Sequence, residues 1–450
     1  MTRSTRGPAG ELTAASPATT GRMRLRWVIL AITSLVLILN YADRAALGVA
    51  GSHIIKEFGL TKTEFGLISS VFFIGYAPFC FIGGWLSDKY GPRVVMGMAV
   101  GWWSLFTALT AAGAGYLSFM VIRFLFGFGE GPQGAVTIKT MRNWFPQRQM
   151  GTAVGVSQGC TPLGGAIGTP LVAWLIAGTG DWRTPFIVLG VLGLLMTVGW
   201  FVLVRDTPEK HPWAVEQDAT DIADIVDPDV AQVADEDAPP VSFYIRQPLV
   251  LATALAFFGY AWVLYSFLSW FPVYLVEARG VNLKEVALTG ALPWLLGFVG
   301  YLLGGVLTDN IAVRTGRPAF ARKSVIVVGL TLTAILLCFV GLATTLTGAM
   351  VLMSSVVFLL YLTGSQYFTL ISDTIPKSRL GGVVGFVHFL ANTSGVFAPL
   401  AVGAIVDRTH SWVLTFGVSA GVCIAGVVAI LVWGRTPPRA PLAATSLKGE

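Results

Sequence analysis

Twelve apolar stretches, each long enough to cross a bilayer as a helix, follow one another along the 450-residue chain. Hydrophobic residues make up 54% of the chain and charged residues only 12%, and the mean hydropathy is +0.71. These values exclude an ordinary soluble enzyme and indicate an all-α integral membrane protein. The predicted spans are 27–48, 64–88, 94–112, 115–138, 150–177, 184–204, 248–275, 286–308, 323–343, 347–371, 380–406 and 412–433.

The basic residues predict how the spans are oriented. If the N-terminus is cytoplasmic, the cytoplasmic loops and tails carry 22 Lys and Arg residues and the opposite face carries 6. Cytoplasmic loops hold such an excess in membrane proteins. The first span is too long for the core of a signal peptide and has no small-residue cleavage pattern after it, so we expect it to be retained. Both termini should therefore face the cytoplasm, in a bacterial inner membrane.

A polar segment separates the first six spans from the last six. Between Asp206 and Pro240 it holds eleven acidic residues against one Lys, with no apolar stripe of helical period, which is typical of a disordered linker. The predicted organisation is a cytoplasmic tail, a six-helix bundle, an acidic cytoplasmic linker, a second six-helix bundle and a second cytoplasmic tail, at 1–26, 27–204, 205–246, 247–433 and 434–450.

Several kinds of chemistry have no support in the sequence. The four cysteines lie inside apolar stretches without the spacing of metal ligands, so no metal or cofactor is expected. No phosphate-binding loop, nucleophile elbow or pair of metal-spaced histidines is present, which argues against an enzyme. The net charge of +6 comes from scattered loop residues and not from a basic stripe, so no nucleic-acid partner is expected.

The two halves repeat each other at matched places. Gly84-Trp-Leu-Ser-Asp88 ends the second span, and Gly305-Val-Leu-Thr-Asp309 ends the eighth, 221 positions later. Pro146, Gly151 and Gly155 recur 230 positions later as Pro376, Gly381 and Gly385. Two pseudo-symmetric bundles with a substrate site between them, near the middle of the membrane, are the arrangement that this pattern predicts.

Motifs in the first half resemble those of a known family. Gly84-x-x-x-Asp88-Lys89-x-Gly91-x-Arg93, between the second and third spans, resembles the signature of the major facilitator superfamily. Within it, Asn40-Tyr-Ala-Asp-Arg44, Arg123 to Pro132, Asn143 to Pro146 and Asp181-Trp-Arg183 look like the anion:cation symporter family. That resemblance implies the major facilitator fold and proton-coupled transport of a carboxylate such as a sugar acid or an aromatic acid.

Four ionisable residues lie within predicted spans of the first half: Asp43, Arg44, Arg123 and Glu130. Charged residues inside a bilayer are costly and mark transport pathways by default. Arg123 and Glu130 are seven residues apart and share one helix face, as do Tyr41 and Arg44, whereas Asp43 points about 100° away from Arg44. We expect Arg44 and Arg123 to bind the carboxylate and Asp43 and Glu130 to carry the protons. Two structural ion pairs between helices would be the alternative.

Polar and aromatic residues on other spans are further candidates for substrate binding. The seventh span carries Tyr260, Trp262, Tyr265, Trp270 and Tyr274, of which Tyr260 and Trp262 are predicted to line the site. The remaining candidates, each of which has helix packing as its alternative role, are Tyr41, Tyr76, Gln158, His388, Asn392 and Ser394.

A last group lies at predicted cytoplasmic helix ends and is expected to gate. Gly84, Asp88, Lys89, Arg93 and Asp309 should join the two bundles when the carrier is open to the outside. The function predicted for the whole chain is inward symport of a small organic anion with protons, by a monomer in a lipid bilayer. A drug:proton efflux carrier and a non-transporting sensor of the same anion are the alternatives. The paired arginines argue against efflux, and the lack of a signalling domain argues against a sensor.

Overall fold

The described part of the chain consists of helices joined by short turns and loops and contains no strand. The structure, a computed structural model, describes residues 25–145, 147–213, 239–282, 285, 289–375 and 377–434, without the side chains of 81, 88, 147, 148, 150–152 and 377–381. Much of the acidic linker therefore lies outside the described residues, as do Pro146 and Pro376 of the repeat.

The first half consists of seven helices. They are α1 (Leu25–Phe58), α2 (Lys62–Tyr90), α3 (Pro92–Thr110), α4 (Tyr116–Glu130), α5 (Gln133–Trp144), α6 (Gln147–Thr179) and α7 (Thr184–Leu203). A short 3₁₀ turn, Pro208–Lys210, follows them. The fourth predicted span is thus two helices, because Pro132 has no N–H to continue the ladder of hydrogen bonds.

The second half repeats this order after a one-turn helix, α8 (Val241–Tyr244). Its helices are α9 (Pro248–Arg279), α10 (Ala291–Thr315), α11 (Pro318–Leu342), α12 (Leu346–Leu362), α13 (Gln366–Ser372), α14 (Lys377–Thr409) and α15 (Trp412–Trp433). The tenth predicted span is also two helices, with its break at 363–365. Both breaks occur in the fourth span of a half, which extends the internal repeat to the backbone.

Ten helical segments of the described chain are long and apolar enough to cross a membrane. The other two predicted spans are also helical but fall outside that group. They are α3, with 19 residues, and the broken α4–α5 unit, whose first helix has 15. The prediction of an all-α membrane protein with two matched sets of six spans is confirmed.

The helices pack in the same pairs in each half. In the first half α1 packs on α6, α2 on α4, and α3 on α7; in the second, α9 packs on α14, α10 on α12, and α11 on α15. The two halves meet where α2 lies on α14, α6 on α10, and α1 on α9. The substrate site predicted between the halves would therefore be walled by these six helices.

Glycines let the second and fourth spans of each half approach closely. A Cβ on Gly75 of α2 would lie 2.3 Å from the carbonyl oxygen of Phe124 in α4. A Cβ on Gly300 of α10 would lie 2.3 Å from the carbonyl oxygen of Phe358 in α12. No side chain fits at either place, as expected for membrane helices whose small residues permit backbone contact.

Candidate functional site

An ion pair joins α1 to α4 in the middle of the first half. Arg44 Nε donates to Glu130 Oε2 at 2.7 Å, and the two side chains are 4% and 0% exposed. Glu130 is the last residue of α4, so the break at Gly131 and Pro132 leaves its carboxylate at a helix end deep within the molecule. A charge buried to this degree requires a partner, and each of these two residues supplies one for the other.

Three aromatic rings surround the guanidinium of Arg44. Its Cζ lies 5.3 Å from the ring centre of Tyr41, 5.0 Å from that of Phe72 and 4.8 Å from that of Tyr76. Such contacts stabilise a desolvated cation by about 2 kcal/mol or more. Tyr41 and Tyr76, both predicted as site residues, therefore lie directly beside one predicted anion-binding arginine.

Arg123 has a different environment, although it lies on the same helix as Glu130. It is 5% exposed, and its guanidinium lies over the rings of Phe72 and Phe126 at 5.1 and 4.5 Å. It forms no ion pair with any residue that the structure describes, and its Nε has no acceptor there. Arg123 is thus a buried cation. Its guanidinium contacts aromatic rings and no carboxylate.

Asp43 completes the set of four buried charges. It is 2% exposed, and neither of its carboxylate oxygens receives a hydrogen bond from a described residue. It interacts electrostatically with Arg123 and Glu130 and not with a dedicated cation of its own. Asp43 and Arg44 are adjacent on α1, so their side chains point about 100° apart and have different neighbours.

A small cavity lies beside both arginines. Residues of both halves line it: Arg44, Leu47, Gly48, Ser69, Phe72, Phe73, Arg123, Leu268 and Ser269. A second cavity lies within the second half, but its walls carry no charged group. The arginine-lined cavity is the one with the chemistry for an anion.

The second half contributes neutral polar and aromatic groups to this region. The hydroxyl of Tyr265 donates to Asn392 Oδ1, and its ring lies 4.2 Å from that of Phe73. The amide of Asn392 also donates to the carbonyl of His388 at 2.8 Å. Asn392 was predicted as a site residue, whereas Tyr265 was noticed only as one of five aromatic residues on its span.

A network of rings leads from Tyr41 into the second half. Tyr41 lies 6.4 Å from Trp294, and Trp294 lies 6.5 Å from Tyr361, which in turn lies 6.2 Å from Tyr260. Tyr260 is thus connected to Tyr41 through two intervening rings, and its role in substrate binding stays a prediction. Trp294 and Tyr361 were missed by the sequence reasoning, since an aromatic residue in an apolar span carries no distinguishing signal.

Other predicted binding residues are not brought into this group. The indole of Trp262 donates to Ser419 Oγ of α15 at 3.2 Å, and the hydroxyl of Ser394 donates to the carbonyl of Ala391 at 2.6 Å. The ring of His388 contacts those of Phe257 and Phe368, and it lies within electrostatic range of Arg44. Gln158 is partly buried on α6.

The predicted gating residues occupy the end of the molecule where α3 begins, which we call the Arg93 end. Arg93 donates through its backbone to Asp206 at 2.9 Å and through its guanidinium to the carbonyl of Phe201 at 2.7 Å. Lys89 lies over the rings of Trp85 and Tyr90, 5.7 and 5.2 Å from their centres.

The remaining gating residues also contact their own half. Gly84 faces Ala135 of α5, and Asp309 pairs with Arg322 at 2.8 Å. The side chain of Asp88 lies outside the described residues. None of the contacts described for this group therefore joins the two halves.

The opposite end, which we call the Glu57 end, is held differently. Asp407, near the end of α14, accepts hydrogen bonds from the backbone N–H groups of Lys62 and Thr63 at 3.0 and 2.6 Å and from the Thr63 hydroxyl. Lys62 also pairs with Glu277 of α9 at 3.2 Å. Because α2 belongs to the first half and α9 and α14 to the second, these contacts close the Glu57 end.

The Asp-Trp-Arg motif stabilises this end within the first half. Glu57, at the end of α1, accepts from Trp182 Nε1 at 2.6 Å and from the Arg183 guanidinium at 2.5 and 3.2 Å. The guanidinium of Arg183 also lies over the Trp182 ring. The Asp-Trp-Arg motif thus has a structural role, because it joins α1 to the loop before α7.

Comparison with known proteins identifies the family. The Major Facilitator Superfamily model matches residues 33–390 and 319–449. The chain is 39% identical over 400 residues to the hexuronate transporter of Bacillus subtilis (strain 168), covering 88% of this chain and 92% of that one. It is 34% identical over 410 residues to the probable sulfoacetate transporter SauU of Cupriavidus necator, covering 91% and 94%. It is 34% identical over 403 residues to the probable galactarate/D-glucarate transporter GarP of Escherichia coli (strain K12), covering 86% and 89%.

Solved structures agree on the fold. A bacterial homologue of the human lysosomal transporter Spinster, in an inward-facing and occupied conformation, matches with a TM-score of 0.74 at 17% identity, covering 93% of this chain and 98% of that one. The inward open xylose transporter XylE of Escherichia coli matches with a TM-score of 0.72 at 15% identity, covering 92% and 97%. The predictions of the fold, of a transporter and of a protein that is not an enzyme are confirmed. The chain belongs to the major facilitator superfamily, as a multi-pass membrane transporter whose relatives of the anion:cation symporter type carry sugar acids.

Proposed function

We propose that this transporter moves a sugar acid of the hexuronate class into the cell together with protons. The observation that carries the proposal is Arg123, a buried guanidinium beside a cavity, with no carboxylate partner among the described residues. A guanidinium offers a planar fork of donors that matches a carboxylate. The relatives named above carry hexuronate, sulfoacetate and galactarate or glucarate, which all bear an acid group that such a fork would bind.

The Arg44–Glu130 pair supplies the proposed coupling. While Glu130 is ionised, it occupies the guanidinium of Arg44, and a substrate carboxylate would have to compete with it. A proton on Glu130 weakens that pair and leaves Arg44 available to the substrate together with Arg123. Substrate and proton therefore favour the same state of the site, which is the requirement for symport.

In this scheme Asp43 carries the second proton of the transport cycle. It lies near Arg123 and Glu130 but makes no ion pair of its own. Once the substrate has left, Asp43 is the remaining acid that can balance Arg123, so we assign it the return of the empty carrier. Tyr41, Tyr76, Tyr260 and Asn392 are assigned to the walls around the substrate.

The two ends of the molecule would alternate in opening. We propose that the Arg93 end is cytoplasmic, with both termini and the acidic linker, in accord with the excess of basic residues there. The contacts of Asp407 and Glu277 would then close the carrier to the outside. In the outward-facing state Gly84, Asp88, Lys89, Arg93 and Asp309 would join the two halves. We expect the carrier to work as a monomer in the bacterial inner membrane, with its bundles at 27–204 and 247–433.

Uptake by the purified protein in liposomes tests the function. Liposomes with an alkaline interior should accumulate radiolabelled D-glucuronate, and a protonophore should abolish the accumulation. Empty liposomes and an unrelated carrier serve as controls. Accumulation of a cationic drug by liposomes with an acidic interior, without uptake of any carboxylate under either gradient, would favour the efflux alternative, and binding of D-glucuronate without uptake would favour a sensor.

Labelling of single cysteines tests the proposed orientation. A cysteine at Asp224, in the acidic linker, should react with an impermeant thiol reagent only after the cells are opened. Labelling of that cysteine in intact cells would contradict the cytoplasmic placement of the linker.

A further inference from the structure

Ser69 is one of several buried hydroxyl groups of the membrane helices without a hydrogen-bond partner among the described residues, and of these it lines the cavity beside the two arginines. Most buried Ser and Thr side chains in such helices donate to the carbonyl three or four residues earlier. Thr33 and Thr107 do so, to Ile29 and Trp103 at 2.7 and 3.1 Å. Ser69 on α2 is only 3% exposed, yet its hydroxyl has no partner among the described residues.

The hydroxyl of Ser69 and the guanidinium of Arg123 border the same cavity. Both groups are hydrogen-bond donors, and neither has an acceptor in the described structure. A buried donor without an acceptor is costly, so two that share one space indicate a ligand rich in acceptors. A carboxylate has about four lone-pair positions, enough for the two donors of an arginine fork and one hydroxyl.

The cavity extends from the arginines toward the Glu57 end. Ser69 lies one helical turn from Phe72 in that direction, and Leu268 and Ser269 of α9 form the wall contributed by the second half. A Cβ on Gly48 would lie 2.4 Å from the carbonyl oxygen of Leu268, so α1 and α9 touch beside the cavity. A group bound there would contact both halves at once.

We propose that Ser69 and Arg123 form a carboxylate subsite on the Glu57 side of the Arg44–Glu130 pair, in which Ser69 Oγ donates to the acid group of the substrate. The inference rests on the proposed function, since it assigns one more contact to the same substrate. The substrate carboxylate then has a position that does not require Arg44 to leave Glu130 first. Arg44 contacts the substrate carboxylate only after Glu130 has been protonated.

The neighbouring residue Ser70 provides a matched control. It is 2% exposed, and its hydroxyl also lacks a partner among the described residues, but it does not line the cavity. The next residue on a helix points about 100° away, so Ser70 faces a different neighbour. Replacing either serine by alanine removes one oxygen and favours the helix, so both variants should fold.

Calorimetric titration of the purified full-length protein with D-glucuronate tests the subsite. Ser69→Ala should raise the dissociation constant about tenfold or more, since a hydrogen bond to a charged group is lost. Ser70→Ala should stay within about twofold of wild type, and the melting temperatures of both should match the wild type within about 4 °C.

Three outcomes would overturn the inference. Binding by Ser69→Ala within about twofold of wild type would refute the subsite and leave the proposed function intact. Equal weakening by Ser70→Ala would attribute the loss to packing of α2. A wild-type protein that binds no sugar acid would remove the subsite and the proposed function together.

Discussion

The two halves share a helix order but place their charges in different locations. The first half holds Asp43, Arg44, Arg123 and Glu130 in its interior, all at most 5% exposed. At the same depth, the second half presents neutral groups such as Tyr265 and Asn392. Its carboxylates that reach the other half, Glu277 and Asp407, lie at the Glu57 end.

The two halves share one fold, and this difference in the placement of charge indicates that they have different roles. Charges inside a membrane protein are costly and are kept where they act on ions or substrates. Carboxylates at a helix end can act with little cost, because backbone N–H groups satisfy them. We therefore expect the first half to determine affinity and coupling, and the second half to shape the site and to hold one end shut.

The largest loss of substrate affinity is expected for a substitution of Arg123, one of the buried charges that distinguish the first half from the second. Arg123→Lys keeps the charge and loses the planar fork, so affinity for D-glucuronate should fall about 10- to 100-fold in a binding titration. Arg142→Lys, an exposed position on α5, is the control and should bind like wild type. Unchanged binding by Arg123→Lys would mean that this arginine only stabilises helix packing.

The second prediction concerns the coupling of substrate transport to protons. It compares two acids of the first half, Glu130 and Asp43. Glu130→Gln imitates the protonated acid, so exchange of labelled for unlabelled substrate should continue. Accumulation driven by a pH gradient should fall about tenfold or more, since a group that cannot titrate couples no proton. Asp43→Asn should likewise retain exchange and stall net uptake. If Glu130→Gln accumulates substrate with the pH dependence of the wild type, coupling must be assigned to Asp43 alone.

The third effect tests the end contacts of the second half. Asp407→Asn removes the charge that caps α2, and losing a helix cap costs about 1 kcal/mol, or about a fivefold change in the balance of two states. Spin labels at Lys56 and His410, on opposite halves, should then report a larger fraction of long distances. Arg408→Gln, an exposed neighbour, should leave the distribution as it is. An unchanged distribution in Asp407→Asn would show that apolar packing alone closes this end.

The smallest effect is expected for the neutral groups of the second half. Tyr265→Phe removes the hydroxyl that donates to Asn392, and a neutral hydrogen bond contributes about 1 kcal/mol or less. Affinity for D-glucuronate should fall about threefold in the same titration. A loss as large as that of Arg123→Lys would show that the second half shares the binding energy, which would break the comparison.

Much of this fold could be predicted because a bilayer imposes a length and a composition on every spanning helix. Each of the twelve predicted spans coincides with helix in the described chain, including α9, which begins at the predicted Pro248. The break after Glu130 was not predicted, although Gly131 and Pro132 are its signal. A hydropathy average over about 20 residues changes little with one Gly-Pro pair, so it does not reveal the break.

The buried charges of the candidate site could be identified from the sequence, but their pairing could not. Intramembrane charge identified Arg44, Arg123 and Glu130, and helix periodicity placed the last two on one face. The pairing of Glu130 with Arg44 depends on how α1 and α4 cross, which one helix cannot reveal. Asp407 was missed because an acid near a helix end looks like any loop charge. Ser69, which we propose as a further carboxylate contact, was not singled out because serine is common in packed membrane helices.

The closed Glu57 end also bears on how the protein can be inhibited. If the Glu57 end faces the outside, as proposed, an impermeant anion supplied from outside meets a surface on which Asp407 already occupies the first N–H groups of α2. Such a compound can act only during the fraction of time in which that contact is broken, so its apparent dissociation constant is the intrinsic constant divided by that fraction. A weakened end contact would therefore increase the potency of an external blocker without any change in the residues that the blocker touches.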